Sequence, residues 1–390
     1  MKRHFKKIAI VTPYYYPLYG GVQEYVYHLK KEYKKYGFMV RIITGDFGGR
    51  SKDENEVIRI GRGFPFMVNG STGRIIFIRK GEKVKQILDK YNFDVIHFQE
   101  PFVPFLSHDV IKYSRSLNIA TFHANFDSNF YYKIGRAFLY SLWDRLDGKI
   151  AVSPSAKSSI TKYFRGRDIE IIPNGVDINR FSPKNPKIQK FNDSKINILF
   201  TGRIEKRKGL IYLLQAFSRL RQYYKNIRLI IVGKGPLMKS LRAYVKHHKI
   251  KEVFFEGFVS VKALPSYYSV SDIYCSPALF GESFGIVLLE AMAAGLPVVA
   301  FNIPGYNDVV ANLEDGLLAH PRDTHDLYEK LEILIRHPAL IKEIGSRGRL
   351  KARRFTWQTI AKKNIHFYKK TLEEKGPSGR RKISKKAGGL

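Results

Sequence analysis

A single cysteine, Cys275, stands among 390 residues, which excludes an internal disulfide and indicates a reducing compartment. Acidic residues are also few: 34 Asp and Glu accompany 68 Lys and Arg, for a formal net charge of +34. No long hydrophobic run is present, because the longest apolar stretch, Phe284–Phe301, is interrupted by Glu290, Gly295 and Pro297. We therefore expect no transmembrane helix.

The N-terminal segment lacks the apolar core of a signal peptide. Only Ile8–Val11 are apolar between the basic start and the prolines and tyrosines that follow, and this run predicts a first β-strand. We therefore expect a cytoplasmic protein that is either free or peripheral on the inner face of the cell membrane.

The excess of basic residues restricts the class of partner. Basic proteins bind nucleic acids, anionic membranes or phosphorylated substrates, and a generally basic, solvated surface is the plain alternative. No zinc-finger spacing or aromatic-glycine RNA-binding motif occurs, so no specific nucleic acid is expected. Phe126–Leu146 mixes aromatic and basic residues. Together with Arg79–Lys90 it is a candidate contact for an anionic membrane, unless its aromatic face packs on a sheet.

Short β-branched runs alternate with amphipathic stretches, which is typical of βαβ units and parallel sheets. The predicted strands are Lys7–Val11, Val40–Thr44, Val57–Ile60, Asp94–Phe98, Ile119–Phe122 and Lys149–Val152, then Ile196–Thr201, Arg228–Val232, Val253–Phe255, Ile273–Cys275 and Pro297–Phe301. The predicted helices are Val22–Tyr36, Lys83–Tyr91, Phe130–Leu146, Leu210–Tyr224, Leu237–His248, Phe284–Ala294 and Thr356–Glu373.

The alternation stops once and restarts, which predicts an α/β protein of two doubly wound, Rossmann-like domains. Residues 1–181 form the first domain, 182–195 a linker rich in Pro, Lys and Asn, and 196–355 the second domain. Residues 356–373 are expected to cross back to the first domain as a helix, and 374–390 to form a basic, disordered tail. We expect the carboxyl ends of both sheets to face an interdomain cleft.

The segment Gly281–Gly295 (GESFGIVLLEAMAAG) is the most informative part of the chain. Glu290 lies about 80° from Glu282 around a helix, so both carboxylates can face one cleft. We expect four apolar residues to pack inward: Ile286, Val287, Leu289 and Met292. Because a helix N-terminus also binds phosphate through its free amides, this combination suits a sugar nucleotide.

A basic loop, Thr201–Gly209 (TGRIEKRKG), follows the first strand of the second domain. Arg203 and Lys208 can neutralise a departing diphosphate there without a metal ion, and no Asp-x-Asp metal pair is suitably placed. A solvated basic loop is the alternative. We expect Lys206 and Arg207 to be exposed.

Two features of the first domain lie at strand ends. Gly20 and Gly21 separate the first strand from the first helix, where backbone amides can approach a phosphate, although a purely structural turn is an equal interpretation. His123 ends another strand and is either a site residue or a buried structural histidine.

A competing motif is present in the same segment as the two carboxylates. Gly281–Gly285 matches the G-x-S-x-G elbow of hydrolases. That elbow places its serine directly after a strand, whereas Pro277–Phe280 separates Ser283 from the preceding strand, and Glu290 would have no role. We therefore disfavour a hydrolase.

Several motifs occur together in an order that resembles the retaining glycosyltransferases of family 4, which have the GT-B fold. The likeness extends to about residue 373, and within the family it is greatest to the phosphatidylinositol mannosyltransferases. The matching segments are Pro13–Tyr14, Gly20–Gln23, Asn69–Ser71 with Arg74, Glu100–Pro101 with Pro104, Ala120–His123, Ile172–Asp177, Gly202–Arg203, Arg207–Gly209 and Gly281–Gly295.

The resemblance implies roles for individual residues. Glu290 would bind the ribose, Arg203 and Lys208 the diphosphate, Glu282 the sugar hydroxyls, and His123 the sugar near its anomeric centre. The implied donor-binding positions are Gly20, Gly21, Arg203, Lys208, Glu282, Phe284, Gly285, Ile286 and Glu290, and the implied acceptor-binding positions are Tyr14, Gln23, Asn69 and Arg74.

The implied activity is transfer of a hexose, with mannose favoured, from a nucleotide diphosphate sugar such as GDP-mannose to a lipid-linked or polyol acceptor. A phosphatidylinositol-like lipid is one such acceptor. The resemblance implies retention of configuration and no metal or other cofactor. The alternatives are another sugar-nucleotide enzyme of this fold, such as an epimerase or sugar-phosphate synthase, and a non-enzymatic binder of nucleic acid or membrane.

Overall fold

The chain divides into two compact units, which are described separately below. A computed structural model describes residues 5–17, 20–51, 53–68, 71–78, 81–126, 128–164 and 168–375. Unit 1 contains Met1–Asn174 and Trp357–Leu390, and unit 2 contains Gly175–Thr356. The basic tail lies outside the described residues from position 376 onward.

Unit 1 is built on a sheet of eight strands in the described part of the chain, in the order β4-β3-β2-β1-β5-β6-β7-β8. All neighbouring strands are parallel except β3 and β4. The strands are β1 (Lys7–Val11), β2 (Met39–Asp46), β3 (Val57–Val68), β4 (Ser71–Phe77), β5 (Val95–Gln99), β6 (Leu117–Phe122), β7 (Gly148–Ala151) and β8 (Ile169–Ile171). Its first helices are α1 (Gly21–Lys35), α2 (Glu82–Tyr91), α3 (Leu106–Tyr113), α4 (Phe130–Ile134), α5 (Arg136–Trp143) and α6 (Pro154–Thr161).

The last described helix completes the core of unit 1. It begins at Trp357 and ends at Glu374, and Ile360 and Tyr368 on it pack with Ile10 of β1 and Tyr25 of α1. Strands β1, β5 and β6 are almost continuously buried because helices cover both faces of a parallel sheet. Polar residues within such strands therefore require partners inside the unit.

Unit 2 contains a second parallel sheet, whose six described strands have the order β11-β10-β9-β12-β13-β14. Its strands are β9 (Ile196–Thr201), β10 (Ile227–Val232), β11 (Val253–Gly257), β12 (Ile273–Ser276), β13 (Val298–Phe301) and β14 (Gly316–Ala319). Its helices are α7 (Leu210–Tyr223), α8 (Met238–His247), α9 (Leu264–Ser269), α10 (Ile286–Ala293), α11 (Thr324–Arg336) and α12 (Pro338–Ala352), and the final helix of unit 1 is α13 (Trp357–Glu374). The two doubly wound parallel sheets confirm the predicted α/β fold class.

Three segments differ from the sequence prediction. The helix predicted over Phe130–Leu146 is split at Gly135 into α4 and α5. The helix predicted from Phe284 begins only at Ile286, because Gly285 has a left-handed backbone. Residues 182–195 contain a short 3₁₀ turn whose Phe191 is buried beside Tyr267, and they belong to unit 2.

Among the described residues, no helix has both the length and the hydropathy needed to cross a bilayer.

Candidate functional site

Two loops meet at the carboxyl edge of the unit 2 sheet, after the neighbouring parallel strands β9 and β12. The backbone N–H of Leu279 donates to the carbonyl of Arg207 at 2.7 Å, which joins one loop to the other. Gly209 has φ 63°, and a Cβ there would overlap the Pro277 carbonyl. Glycine is therefore required where the loops touch.

The loop after β12 places Glu282 between two glycines in left-handed conformations, Gly281 with φ 73° and Gly285 with φ 76°. A third, Gly305, lies so close to the backbone of Glu282 that a Cβ would overlap its carbonyl. Glu282 thus sits on a tight turn before α10 and is not part of the helix.

The Glu282 carboxylate is the centre of an ion cluster. Its Oε1 accepts from Lys208 Nζ and from Arg207 Nη1, both at 2.6 Å. Arg207 Nε also donates to Glu205 Oε1 at 2.6 Å, and Arg203 Nε lies 3.3 Å from Glu205 Oε2. The Lys208 and Glu282 side chains are 10% and 12% exposed, whereas Arg203 is 51% exposed.

Two members of the cluster, Glu282 and Arg207, have pKa values shifted toward their charged forms. Burial alone would raise the pKa of Glu282, but Lys208 and Arg207 outweigh it and hold that pKa below its ordinary value. Burial would also lower the pKa of Arg207, and the carboxylates of Glu282 and Glu205 raise it instead. Two carboxylates face three cations, so the cluster has one excess positive charge at the sheet edge.

Glu290, on α10, is held by a separate hydrogen-bond network. Its Oε2 accepts from the Tyr268 hydroxyl at 2.8 Å, and that hydroxyl lies 2.8 Å from Thr201 Oγ1. Tyr268 is fully buried, so the Glu290 side chain is anchored from the core side while the residue itself is half-buried.

In unit 1, the corresponding sheet edge carries His123, directly after β6. Its Nε2 lies 2.7 Å from Gln99 Oε1, at the end of the adjacent strand β5. The Tyr25 ring of α1 contacts the imidazole edge-on, with centroids 4.8 Å apart. Burial lowers the pKa of His123 to about 3, so the ring is neutral at working pH.

The glycine pair and the acceptor positions occupy elements of the same unit. Gly20 is the N-cap of α1 and, like Gly21, is exposed, and Gln23 in the first turn is buried.

Tyr14 lies after β1, where its N–H donates to Thr12 Oγ1 at 3.0 Å. Asn69 lies outside the described residues. Arg74 pairs with Pro65 in the β3–β4 ladder, and its side chain is outside the described set.

Both halves of the chain match glycosyltransferase family models. Residues 19–180 match the model described as Glycosyltransferase Family 4, and residues 181–351 match the model Glycosyl transferases group 1. A phosphatidyl-myo-inositol mannosyltransferase of Mycobacterium leprae is 31% identical over 367 residues, covering 93% of this chain and 96% of that protein. The chain belongs to glycosyltransferase family 4.

Two further relatives extend the comparison of this family 4 glycosyltransferase. An alpha-monoglucosyldiacylglycerol synthase of Streptococcus pneumoniae is 26% identical, covering 85% of this chain and 79% of that protein. The solved structure of Anabaena HepE in complex with UDP and glucose superposes with a TM-score of 0.75 at 20% identity, covering 93% of this chain and 99% of that one. These likenesses agree with the GT-B fold of two Rossmann-like domains.

Three expectations about this glycosyltransferase are corrected by its geometry. Arg207 is not exposed, since its side chain is 19% exposed between Glu205 and Glu282. Ile286 and Val287 are only half-buried, because they occupy the first turn of α10 at the sheet edge, whereas Leu289 and Met292 are buried as expected.

The hydrolase interpretation of the serine motif is not supported in this family 4 enzyme. Ser283 follows a loop that begins after β12 ends at Ser276, so the strand-turn-helix geometry of a nucleophile elbow is missing. Phe284, next to it, is buried against Phe355 at 6.0 Å between ring centroids.

Several residues of this site were not singled out from the sequence. Glu205 and Tyr268 gave no motif signal of their own. Gln99 ends β5 and Glu100 follows it, beside the strand that ends at Phe122 just before His123. Their strand-end position was the available signal, and Glu100 had no assigned role although it stands in the Glu100–Pro101 match. The described residues contain no group of three or more His, Cys, Asp or Glu side chains arranged to hold a metal ion.

Proposed function

We propose that this protein transfers mannose from GDP-mannose to a phosphatidylinositol-like lipid, with retention of configuration and without a metal ion. The observation that carries the proposal is the partly buried ion cluster of Glu282, Lys208 and Arg207 at the carboxyl edge of the unit 2 sheet. The mannosyltransferase name of the Mycobacterium leprae relative supports the choice of sugar and acceptor.

The cluster suits a diphosphate leaving group. Lys208 Nζ has three N–H bonds and directs one to Glu282, so it can also donate to phosphate oxygens. Arg203 is half-exposed in the same loop and can add a bidentate contact. Fixed cations stabilise the negative charge that builds on the diphosphate as the glycosidic bond breaks.

Carboxylates would hold the neutral parts of the donor. In our proposal Glu282 accepts from the sugar hydroxyls, and Glu290, anchored by Tyr268, accepts from the ribose hydroxyls. The amides at Gly285 and Ile286, where α10 begins after the loop that carries Glu282, would donate to phosphate.

Retention is proposed to proceed on one face of the sugar. Glu282 is neutralised by two cations within 2.6 Å, which makes it a poor nucleophile and argues against a covalent glycosyl-enzyme intermediate at that residue. The acceptor oxygen forms the new bond to the anomeric carbon as the bond to the diphosphate breaks, and the acceptor proton passes to a phosphate oxygen. Gly21 and His123 would contact the donor from unit 1, and Tyr14, Gln23, Asn69 and Arg74 the acceptor.

The test combines a donor screen with product analysis. GDP-, UDP- and ADP-sugars are compared by thermal shift, and the lipid product is analysed by mass spectrometry and by NMR of its anomeric proton. We expect GDP-mannose to give the largest shift and an α-mannosylated inositol lipid to form. A product of inverted configuration would contradict the mechanism, and a different preferred donor would contradict the substrate.

We also propose that unit 1 contacts an anionic membrane through α4 and α5. Phe130, Ile134 and Phe138 are 76%, 70% and 55% exposed and recur every fourth residue. Lys133 and Arg136, between them, are also exposed. No Asp or Glu occurs from residue 128 to residue 143, so this apolar and basic surface complements anionic lipid.

Neighbouring aromatics extend this surface toward the β4 edge. Phe138 packs edge-on against His108 of α3, with ring centroids 5.2 Å apart, and Phe105, before α3, packs against Phe77 at 5.4 Å. Phe77 and Phe105 are themselves 52% and 42% exposed. The predicted membrane contact also included Arg79–Lys90. Residues 79 and 80 lie outside the described set, and the part of this segment that lies on α2 carries both acidic and basic side chains.

A further inference from the structure

Two consecutive residues, Gln99 at the end of β5 and Glu100 directly after it, form hydrogen bonds with His123. One oxygen of Glu100, Oε1, accepts the backbone N–H of His123 at 2.6 Å and that of Ala124 at 2.7 Å. Gln99 presents its Oε1 to His123 Nε2 at 2.7 Å. One residue thus fixes the backbone of the histidine and the other fixes its ring.

Both Gln99 and Glu100 have features that lower the stability of the folded protein. Glu100 has φ 53°, a left-handed conformation that is uncommon for a residue with a side chain. Its carboxyl group is buried, and burial raises its pKa to about 7 despite the two backbone hydrogen bonds. Gln99 Nε2 is buried without a partner among the described residues. Unfavourable features that collect at one position indicate a function that outweighs them.

We propose that Gln99 and Glu100 are positioning residues for His123 in glycosyl transfer, Glu100 holding the His123–Ala124 backbone and Gln99 selecting the ring tautomer protonated on Nε2. This inference rests on the proposed role of His123 at the donor sugar. With Gln99 Oε1 as acceptor, the neutral ring donates from Nε2 and Nδ1 becomes its acceptor atom.

The other titratable side chains near His123 do not carry out this positioning role. His97, on the same strand, is bonded through Nδ1 to Tyr368 and through Nε2 to Thr121, and burial lowers its pKa to about 3. Burial likewise raises the pKa of Tyr25 and of Tyr132, whose phenols face His123 and Glu100. His97, Tyr25 and Tyr132 are therefore neutral at working pH, whereas the pKa of Glu100 is about 7.

A matched control lies at the opposite end of the same sheet. Asp94 Oδ2 accepts the backbone N–H groups of Lys6 and Lys7, both at 2.9 Å, just before β5 begins. It makes the same pair of hydrogen bonds as Glu100 but at the amino edge, away from His123. A purely structural role predicts equal consequences for both carboxylates, whereas a positioning role does not.

The decisive experiment is a double-mutant cycle measured on folded protein. We expect Glu100→Ala to lower kcat about 10- to 100-fold, because a small displacement of a reacting group has effects of this size. Donor nucleotide binding, measured by calorimetry, should remain within about 3-fold, since removing this contact leaves the unit 2 ion cluster intact. Glu100→Gln, which keeps an acceptor oxygen, should restore most of kcat. Asp94→Ala, which removes the control carboxylate in the same way, should leave kcat unchanged.

The cycle isolates the link to His123. In a His123→Ala background, Glu100→Ala should cost little further kcat, because the two residues act together. Additive losses would overturn the proposal, as would a loss of kcat in Asp94→Ala equal to that in Glu100→Ala. If the wild type transfers no sugar at all, the proposed function fails and the cycle is not interpretable. In that case the tautomer of the His123 ring, measured by NMR, still tests the proposal.

The second readout needs no activity. Imidazole ¹⁵N shifts of the full-length protein should show His123 protonated on Nε2, and Gln99→Met should produce a mixture of tautomers or Nδ1 protonation. A wild-type ring protonated on Nδ1, or an unchanged tautomer in Gln99→Met, would contradict the assignment.

Discussion

The two units present their candidate site residues at the same structural position, the carboxyl edge of a parallel sheet, but with different chemistry. In unit 2 the edge is ionic: Glu282 Oε1 accepts from Lys208 Nζ and from Arg207 Nη1, each at 2.6 Å. In unit 1 the imidazole is neutral: His123 and Gln99 share a hydrogen bond in a buried setting, beside Glu100, whose pKa burial raises to about 7.

In the proposed function, the difference matches what each edge would have to stabilise. Full charges with partners suit a diphosphate, whose negative charge grows during transfer. A buried neutral imidazole suits a sugar, which offers hydroxyl groups and a developing oxocarbenium centre that no cation should approach. The same fold therefore supplies opposite electrostatic settings through a few loop residues.

The largest expected effect concerns the ionic edge. Lys208→Ala removes a fixed cation from the departing diphosphate, and we expect kcat to fall about 10²- to 10³-fold. Lys206→Ala is the matched control, because Lys206 lies in the same loop but is exposed. Steady-state kinetics with circular dichroism checks both variants. Equal losses of kcat in Lys208→Ala and Lys206→Ala would indicate that the loop acts only through its overall positive charge. The contrast between the two sheet edges would then be lost.

The second prediction contrasts the surfaces of the units. Replacing Phe130, Ile134 and Phe138 together with serine should reduce binding to anionic vesicles at least about 10-fold, because each buried apolar side chain contributes on the order of 1.5–3 kcal/mol. The control replaces three residues of unit 2 that are 60% to 68% exposed, Tyr223, Leu313 and Leu350. Co-sedimentation with anionic and neutral vesicles measures the effect. Equal binding to neutral vesicles would refute the electrostatic part of the proposal.

The third prediction uses pH to compare the edges. Because Glu282 has a lowered folded-state pKa, it stabilises the protein above its unfolded-state pKa, and Glu282→Gln should lower the thermal midpoint at pH 8. Glu100 has its pKa raised to about 7, so ionising it costs stability, and Glu100→Gln should raise the midpoint at pH 8.

The changes in thermal midpoint caused by the two substitutions should also vanish at different pH values. The difference caused by Glu100→Gln should vanish as the pH falls from 7 toward 4, where the carboxyl is protonated in both folded and unfolded states. The difference caused by Glu282→Gln should persist until the pH falls through the lowered pKa. Differential scanning fluorimetry from pH 4 to 8 follows both, and effects of the same sign at pH 8 would contradict the comparison.

The smallest expected effect lies at Glu290. Tyr268→Phe removes the hydroxyl that donates to Glu290 Oε2 at 2.8 Å, a hydrogen bond of about 1 kcal/mol. We expect KM for the donor to rise about 5-fold with kcat nearly unchanged, since the contact orients the ribose side of the donor. A loss confined to kcat would place Glu290 at the reacting centre instead.

The sequence was most informative where residues repeat a strong local pattern. The central strands β1, β5 and β9 were predicted because they are continuous runs of apolar and β-branched residues between polar turns. Edge and short elements were missed, among them β4 and β14, because a few residues with weak periodicity do not distinguish a strand from a loop. The break at Gly135 was missed for a similar reason, since a single glycine is tolerated within many helices.

At the candidate site, the sequence by itself predicted the loops whose side chains the structure brings together, because glycine, glutamate and lysine at fixed spacing have few other uses. Only the tertiary structure decided which groups meet: Arg207 pairs with Glu282 from a segment far along the chain, and His123 is held by Gln99 and Glu100 at the end of a neighbouring strand. Such contacts depend on strand order and register. The spacing of residues along the chain does not contain that information, since strands adjacent in a parallel sheet are joined through long crossovers.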